Sequence, residues 1–412
     1  MTNSLAPLEK YKDNLVYCLQ CGLCLTECPV FKATRLSSLT SRGRMRILSG
    51  LLDGEITVNK RVEEIFNQCL LCEACAKVCP SKIPVGEIFA TARSIVNSER
   101  GLPLKKKLIL WAFRDLNRTG KLAGFFALPA KLVTKENETG LKPAAVLNKF
   151  LPLAELPKFG GQTFLDRFAG VHKPQGEAKG RIGYFTGCMT NLVYQKTGEA
   201  VLNYMLKCGY EVVIPQDQGC CGLPAFASGE LNKAREQVNK NGEAFSKARV
   251  DLVIADCASC VSMWEEHSNA VDRKIKVREV MGFLDSKDLL PDSLEVPEDT
   301  RWGYHAPCHT RGDEISRKAP RKLLKNNSQG RYIELDHEEK CCGGGGSFGY
   351  LNPELMLDIQ KEKVAELKDK EVNVLVTTCP SCRLYLSSGI AGHDHKCVVC
   401  HPLELAVKTK GV

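Results

Sequence analysis

Eighteen of the 21 cysteines in this 412-residue chain fall into four groups, two of four and two of five, and that grouping limits the fold more than any other feature. With 43% hydrophobic residues and this length, the chain can build several proper cores, so it does not need cysteines to staple a small scaffold. The total is odd, most of the cysteines stand two or three residues apart, and the opening run MTNSLAPLEKYKDNLVYC has no apolar signal core. Ligands to a metal fit such spacing better than disulfide partners do, and they imply a reducing compartment. The expected location is the cytoplasm, free or peripheral on the inner face of a membrane. No stretch reaches the roughly 18 to 20 apolar residues of a spanning helix, because 108–133 is broken by Arg114, Arg118 and Lys121. The formal charge of +9 is scattered along the chain, and bound clusters with their thiolates would offset it, so no nucleic-acid partner is expected.

Residues 18–29, CLQCGLCLTECP, and 69–80, CLLCEACAKVCP, each read C-x2-C-x2-C-x3-C-P. This is the run that holds 4Fe-4S cubanes in bacterial ferredoxins, where the fourth cysteine of each run serves the other cluster. Cys18, Cys21, Cys24 and Cys79 are therefore expected to hold one cluster, and Cys69, Cys72, Cys75 and Cys28 the other. Zinc prefers two separated pairs per site, whereas here four cysteines sit within eleven residues, twice. The 40 residues between Cys28 and Cys69 include SRGRMRILSGLLDGE and VNKRVEEIFNQ, both with helical apolar spacing. The domain thus resembles the ferredoxin-like part of succinate dehydrogenase iron-sulfur subunits. Arg42, Arg44 and Arg46 lie on the first of these stretches; they either offset cluster charge or form a solvated face.

Beyond residue 178 the chain repeats itself. RIGYFTGC, GYEVVIPQDQGCCG and DLVIADCASC bring Cys188, Cys220, Cys221, Cys257 and Cys260; RWGYHAPC, RYIELDHEEKCCGGGG and VNVLVTTCPSC bring Cys308, Cys341, Cys342, Cys379 and Cys382. The spacings are C-x31-CC-x35-C-x2-C and C-x32-CC-x36-C-x2-C, which marks a duplication. Short runs (IGYF, EVVI, DLVIAD; WGYH, YIEL, VNVLV) read as strands delivering cysteines at their C-terminal ends, with helices between, so parallel sheets are expected. The G-x-G-x-x-G match at Gly344, Gly346 and Gly349 follows a cysteine pair rather than a strand. It is read as backbone that approaches a cluster closely, not as a nucleotide loop.

The CCG pattern resembles the cysteine-rich domains of heterodisulfide reductase catalytic subunits. The full order is similar to the glycolate oxidase iron-sulfur subunit family, related to lactate utilisation proteins, anaerobic glycerol-3-phosphate dehydrogenase and fused heterodisulfide reductase; the terminal HPLELA at 401–406 also matches that family's ending. The fold class implied is α/β with an α-helical N-terminal ferredoxin domain and two pseudo-repeated CCG domains with small parallel sheets. The expected boundaries are 1–100 for the helical bis-4Fe-4S ferredoxin domain, 101–178 for a helical linker or subunit-docking region, 179–296 for the first CCG domain and 297–412 for the second. The resemblance implies that each five-cysteine set holds a cluster, giving two cubanes and one or two further 4Fe-4S clusters of cubane or noncubane type.

Three cysteines remain. Cys208 is expected in a core, and Cys397 and Cys400 on a buried strand, with a ligand pair or redox dithiol as the competing reading. His305 and His309 flank Cys308 and are read as satisfied polar residues, with donation to cluster sulfur as the alternative. In 101–178, Lys105 to Lys107 and the aromatics Trp111, Phe113, Phe125 and Phe126 fit subunit docking, a packed linker or a membrane-surface helix.

No hydrolase or phosphate-binding motif stands out, and no flavin-binding motif is present. The expected role is an iron-sulfur electron-transfer subunit that relays electrons from a flavoprotein (FAD-binding) dehydrogenase subunit to an acceptor protein or quinone, in a glycolate- or lactate-type enzyme. A heterodisulfide-reductase-like catalyst acting at noncubane clusters is the alternative. Anaerobically purified protein should be brown and carry about 16 iron with matching sulfide if all four sites hold 4Fe clusters; colourless protein with free or mutually bonded thiols would remove the basis of this reading.

Overall fold

The computed structural model describes residues 3–114, 134–136, 141–143, 162–267, 275–295, 299–327 and 330–406. Phe125, Phe126 and much of the 101–178 region lie outside the described residues. The chain forms two compact units: Met1–Trp111 with Pro224–Ala234 and Cys341–Gln360, and Ala112–Leu223 with Arg235–Lys340 and Lys361–Val412.

The first unit is helical. Helix α1 (Ser41–Leu52) starts where the Thr40 hydroxyl accepts the Gly43 amide at 3.2 Å, and α2 (Lys60–Asn67) where Asn59 Oδ1 accepts Val62 N–H at 3.1 Å. Their apolar residues recur every three or four positions. Met45, Leu48 and Leu51 from α1 meet Val62 and Phe66 from α2, and Ile88, Phe89, Ala92 and Ile95 from α3 (Val85–Arg100). Each fully buried large side chain contributes about 1.5–3 kcal/mol. The three arginines of α1 divide by helical phase: Arg46 is exposed, Arg42 half-buried, and Arg44 only 1% exposed.

Besides a two-stranded antiparallel ladder of Thr134–Glu136 with Leu141–Pro143, the second unit holds two larger sheets. In the first, β1 (Gly170–His172), β2 (Gly180–Phe185), β3 (Tyr210–Ile214), β4 (Leu252–Ala255) and β5 (Lys276–Glu279) lie in the order β1-β3-β2-β4-β5, parallel except for β1. In the second, β6 (Trp302–Tyr304), β7 (Val374–Val376) and β8 (Val398–Cys400) lie in the order β8-β7-β6, all parallel. The duplication is plain in the topology, with β2, β4 and β5 corresponding to β6, β7 and β8. Even the glycine at the middle of the leading strand recurs: a Cβ at Gly183 would stand 2.6 Å from the Phe245 ring, and one at Gly303 would stand 2.8 Å from Leu335.

One expected strand is missing. The YIEL run, the counterpart of β3, makes only an isolated parallel bridge between Tyr332 and Trp302. The Glu366 carboxylate accepts the amides of Asp336 and His337 just beyond it, so those donors serve a side chain instead of a ladder.

Cys208 lies in the core with Tyr184, Met205, Ile254 and Met281, as expected. Cys397 and Cys400 are both buried, Cys400 on β8 and Cys397 just before it, and burial pushes Cys397 up to about 12 and raises Cys400 as well, so both stay neutral thiols. Among the described residues, no helix is long and apolar enough to cross a membrane.

Glu279 ends β5 fully buried, and its Oε2 accepts the Gly282 amide at 3.0 Å. Desolvation pushes its carboxyl up to about 8 from 4.5. The folded state therefore keeps a proton that the unfolded chain releases above its ordinary carboxyl pKa, and stability falls as pH rises from about 4.5 to about 8. Glu279→Gln, neutral throughout, should flatten that decline, with a gain over the parent of the order of a few kcal/mol near pH 8. Urea unfolding midpoints of both proteins between pH 5 and 8 test this, and parallel curves would refute it.

Candidate metal centres

The two C-x2-C-x2-C loops of the first unit share an unusual backbone. Gln20 and Gly22 in one, and Leu71 and Glu73 in the other, have φ values of 52°, 86°, 50° and 54°. These are matching positions, and three of them carry side chains that pay roughly 1 kcal/mol or more to be left-handed. The reversals turn amides toward sulfur. Leu71 N–H donates to Cys69 Sγ at 3.5 Å, and backbone amides of Arg42 and Phe31 donate to Cys24 and Cys28. Strain repeated in both loops points to a group that the loops wrap.

Each loop borders its own recess. One is lined by Cys18, Cys21, Cys24 and Cys79, with about 440 Å³ of non-atom space including open solvent; the other is lined by Cys28, Cys69, Cys72 and Cys75, with about 420 Å³. The fourth cysteine of each run thus stands at the other run's recess, as the sequence pairing expects, while Cys75 borders both. Burial pushes Cys28 up to about 11 and raises Cys24 and Cys75. Such sulfurs stay protonated unless a cation displaces the proton, and the donor set fits an iron-sulfur cube.

The first unit also contains the two short segments that follow the CC pairs. Arg93, buried on α3, gives Nε to the Phe66 carbonyl at 3.0 Å and Nη2 to the carbonyls of Phe66, at 2.7 Å, and Cys69; its Nη1 goes to the Ala227 carbonyl. Asn97 Nδ2 donates to the Ser228 carbonyl at 2.7 Å. Gly229 has φ 82° and lies so close that a Cβ there would stand 2.6 Å from the Arg93 backbone. The glycine run does the same against Leu70: Gly343, Gly345 and Gly346 have positive φ, and a Cβ on Gly345 would come within 3.0 Å of the Leu70 backbone. The expected approach is to a cluster; the close approach seen at Gly345 is to the loop between Cys69 and Cys72. Cys341 shares a buried cluster with Cys28, Ile65, Leu70 and Phe348, and Gln360 Nε2 donates to the Cys342 carbonyl at 2.6 Å.

In the second unit the strand ends deliver sulfur. Cys188 lies on α4 (Gly187–Leu192) beyond β2, and Cys257 and Cys260 lie at the start of α5 (Ala258–His267) beyond β4. Sulfur-to-sulfur hydrogen bonds run from Cys188 to Cys220, Cys221, Cys260 and Cys257, so all five cysteines of the first set converge. Asp256, just before Cys257, is anchored by the hydroxyls of Tyr184, at 3.1 Å, and Thr190; burial pushes it up to about 6.

The row of sulfurs continues into the second copy. Cys257 meets Cys379, which N-caps α6 (Pro380–Gly392), and Cys379 meets Cys382. Hydrogen bonds from Cys257, Cys382 and Ser259 hold Cys379 well below the usual thiol range. Ser259 Oγ lies 3.3 Å from Cys379 Sγ and 2.8 Å from His309 Nδ1, and that nitrogen is 3.7 Å from Cys308 Sγ. His309 thus takes the sulfur-facing alternative; His305 Nδ1 pairs with Lys363 Nζ at 2.9 Å, and a ring nitrogen of His305 also lies within 4.8 Å of Cys382 Sγ. Of the second set, Cys308, Cys379 and Cys382 belong to this unit, and Cys341 and Cys342 to the first. Sequence reasoning did not single out Arg93 and Ser259; both lie in runs whose only signal was helical spacing or the x of C-x-x-C.

Family comparison matches residues 14–83 to a 4Fe-4S dicluster domain, and residues 182–265 and 302–387 to a cysteine-rich domain. A probable glycolate oxidase iron-sulfur subunit of Bacillus subtilis is 28% identical, over 97% of this chain and 95% of its own. The glycolate oxidase iron-sulfur subunit of Escherichia coli is 22% identical, over 90% of this chain and 89% of its own. Among solved structures, a hypothetical protein from Helicobacter pylori matches with a TM-score of 0.52 and 10% identity, covering all of this chain and 78% of that one, which is a likeness of fold. The chain thus has a 4Fe-4S dicluster domain followed by two cysteine-rich domains, and along nearly its whole length it is similar to iron-sulfur subunits of glycolate oxidase.

Proposed function

We propose that this protein is the iron-sulfur electron-transfer subunit of a multi-subunit, flavin-dependent dehydrogenase of 2-hydroxyacids, glycolate or lactate in type. The observation that carries the reading is continuity of sulfur inside the first unit: Cys341 of a CCG set packs in the same buried cluster as Cys28 and beside Cys72. A chain that exists to pass charge needs its metal ligands in contact through packed, water-excluding side chains, and Leu70 and Phe348 supply that filling here.

In this reading Cys18, Cys21, Cys24 and Cys79 hold one cubane, and Cys28, Cys69, Cys72 and Cys75 the other. Cys188, Cys220, Cys221, Cys257 and Cys260 hold a third cluster, and Cys308, Cys341, Cys342, Cys379 and Cys382 a fourth, each cubane or noncubane. When bound, such clusters supply one-electron carriers that split a two-electron substrate oxidation into single steps. The protein's part is to hold sulfur, exclude water and aim amides at the clusters. The flavoprotein partner would perform the oxidation, and an acceptor protein or quinone would receive the electrons. Helix Leu104–Arg114 is suited to docking a partner, since Leu104, Leu108 and Trp111 are all at least half exposed while Lys106 is buried against Asn67. The same exposed residues are compatible with peripheral contact at the inner face of a membrane.

A second reading, a heterodisulfide-reductase-like catalyst, is favoured by one feature: the C-x2-C cysteines of the two copies meet at Cys257 and Cys379. Anaerobic assays separate the two. The chain co-expressed with its neighbouring flavoprotein should show cluster reduction on adding glycolate or lactate, and the chain alone should show none. Substrate oxidation by the chain without any flavoprotein would overturn the subunit reading, and disulfide turnover with an artificial donor would establish the catalytic one.

A further inference from the structure

Arg44 is 1% exposed, yet its guanidinium is only partly satisfied. Nε donates to the Ile65 carbonyl at 3.0 Å and Nη1 to the Leu39 carbonyl, but Nη2 is buried and has no partner among the described residues. The side chain lines the recess of Cys28, Cys69, Cys72 and Cys75, with the Phe89 ring 5.8 Å from its central carbon. A buried guanidinium without a carboxylate is costly, so its position calls for an anion in that recess. Glu73, the carboxylate that borders the same recess, is solvent-exposed. Arg93, buried, donates to the carbonyl of Cys69, adding a second positive charge next to one of the recess cysteines. The recess of Cys18, Cys21, Cys24 and Cys79 has only the half-buried Arg42, whose Nη1 reaches the Gln20 carbonyl at 3.5 Å, and Cys21 there is exposed.

We propose that Arg44 Nη2 donates a hydrogen bond to a sulfur of the cluster held by Cys28, Cys69, Cys72 and Cys75, and that Arg44 and Arg93 together hold this cluster at a higher reduction potential than its neighbour. The inference rests on the cubane assignment made above. Adding an electron makes a cluster more negative, and a fixed positive charge in a water-poor site stabilises that state far more than a solvated one does. Hydrogen bonds to cluster sulfur act in the same direction. Electrons that enter at the exposed Cys21 side therefore run downhill to the cluster of Cys28, which packs against Cys341.

The test is an anaerobic dithionite titration of the full chain, followed by electron paramagnetic resonance, with Cys21→Ser marking the signal of the exposed cluster. In the parent, the signal altered by Cys72→Ser, which marks the cluster beside Arg44, should be reduced before the one altered by Cys21→Ser. Arg44→Met and Arg44→Gln should each lower the potential of the cluster beside Arg44 by about 59 mV, a tenfold change in its one-electron equilibrium, while leaving the cluster marked by Cys21→Ser in place. Arg44→Lys should restore part of the shift. Gln keeps polar contact with the carbonyls of Ile65 and Leu39, so it serves if Met fails to fold. Unchanged potentials in a variant with full iron content, or equal shifts of both clusters, would overturn the proposal. Parent protein with no cubane signal at all would instead remove the cluster assignment beneath it.

Discussion

A thiol buried away from water keeps its proton, and a group of such thiols is an unfavourable core unless a metal takes the protons' place. The whole molecule is arranged around that constraint. Cys28 and Cys75 in the first unit, and Cys220, Cys221, Cys257 and Cys260 in the second, are all pushed up by burial or by neighbouring sulfur, and within each unit they are grouped instead of dispersed. The backbone accepts local cost to achieve it, with Gln20, Leu71 and Glu73 held left-handed in the cysteine loops. Folding and metal loading are therefore linked in this chain, because the native arrangement of sulfur has low free energy only with its cations in place.

The same constraint explains where small residues are needed. Gly229 and Gly345 bring two returning segments against the backbone of Arg93 and Leu70 at distances no side chain would permit. Arg93 then uses its donors on carbonyls from Phe66, Cys69 and Ala227, tying one cysteine loop to one of those segments by a single buried cation. Its hydrogen bonds serve packing, and its charge stands next to Cys69.

Much of the site was legible beforehand because ligand spacing is a local property. The C-x2-C-x2-C-x3-C-P runs and the duplicated five-cysteine sets state their chemistry within a few dozen residues, the short apolar runs placed five of the eight strands of the two sheets, and the buried-strand reading of Cys397 and Cys400 placed a sixth. YIEL was misleading because its strand propensity is overridden by Glu366, which lies some thirty residues away and takes the amides just beyond it. His309 and Ser259 likewise became sulfur neighbours only once Ala258 N–H met the Thr378 carbonyl at 3.1 Å and set the two C-x2-C turns face to face.

Sequence alone determined that this chain carries cysteines in two groups of four and two of five on a helical ferredoxin domain followed by repeated parallel α/β sheets, since periodicity and spacing are written along the chain. Only the tertiary structure decided which of three neighbouring arginines on one helix turns inward, that the segments after both CC pairs pack with the ferredoxin helices, and that Cys257 of one copy meets Cys379 of the other. Those outcomes depend on contacts between residues far apart in sequence, whose energies no local pattern encodes.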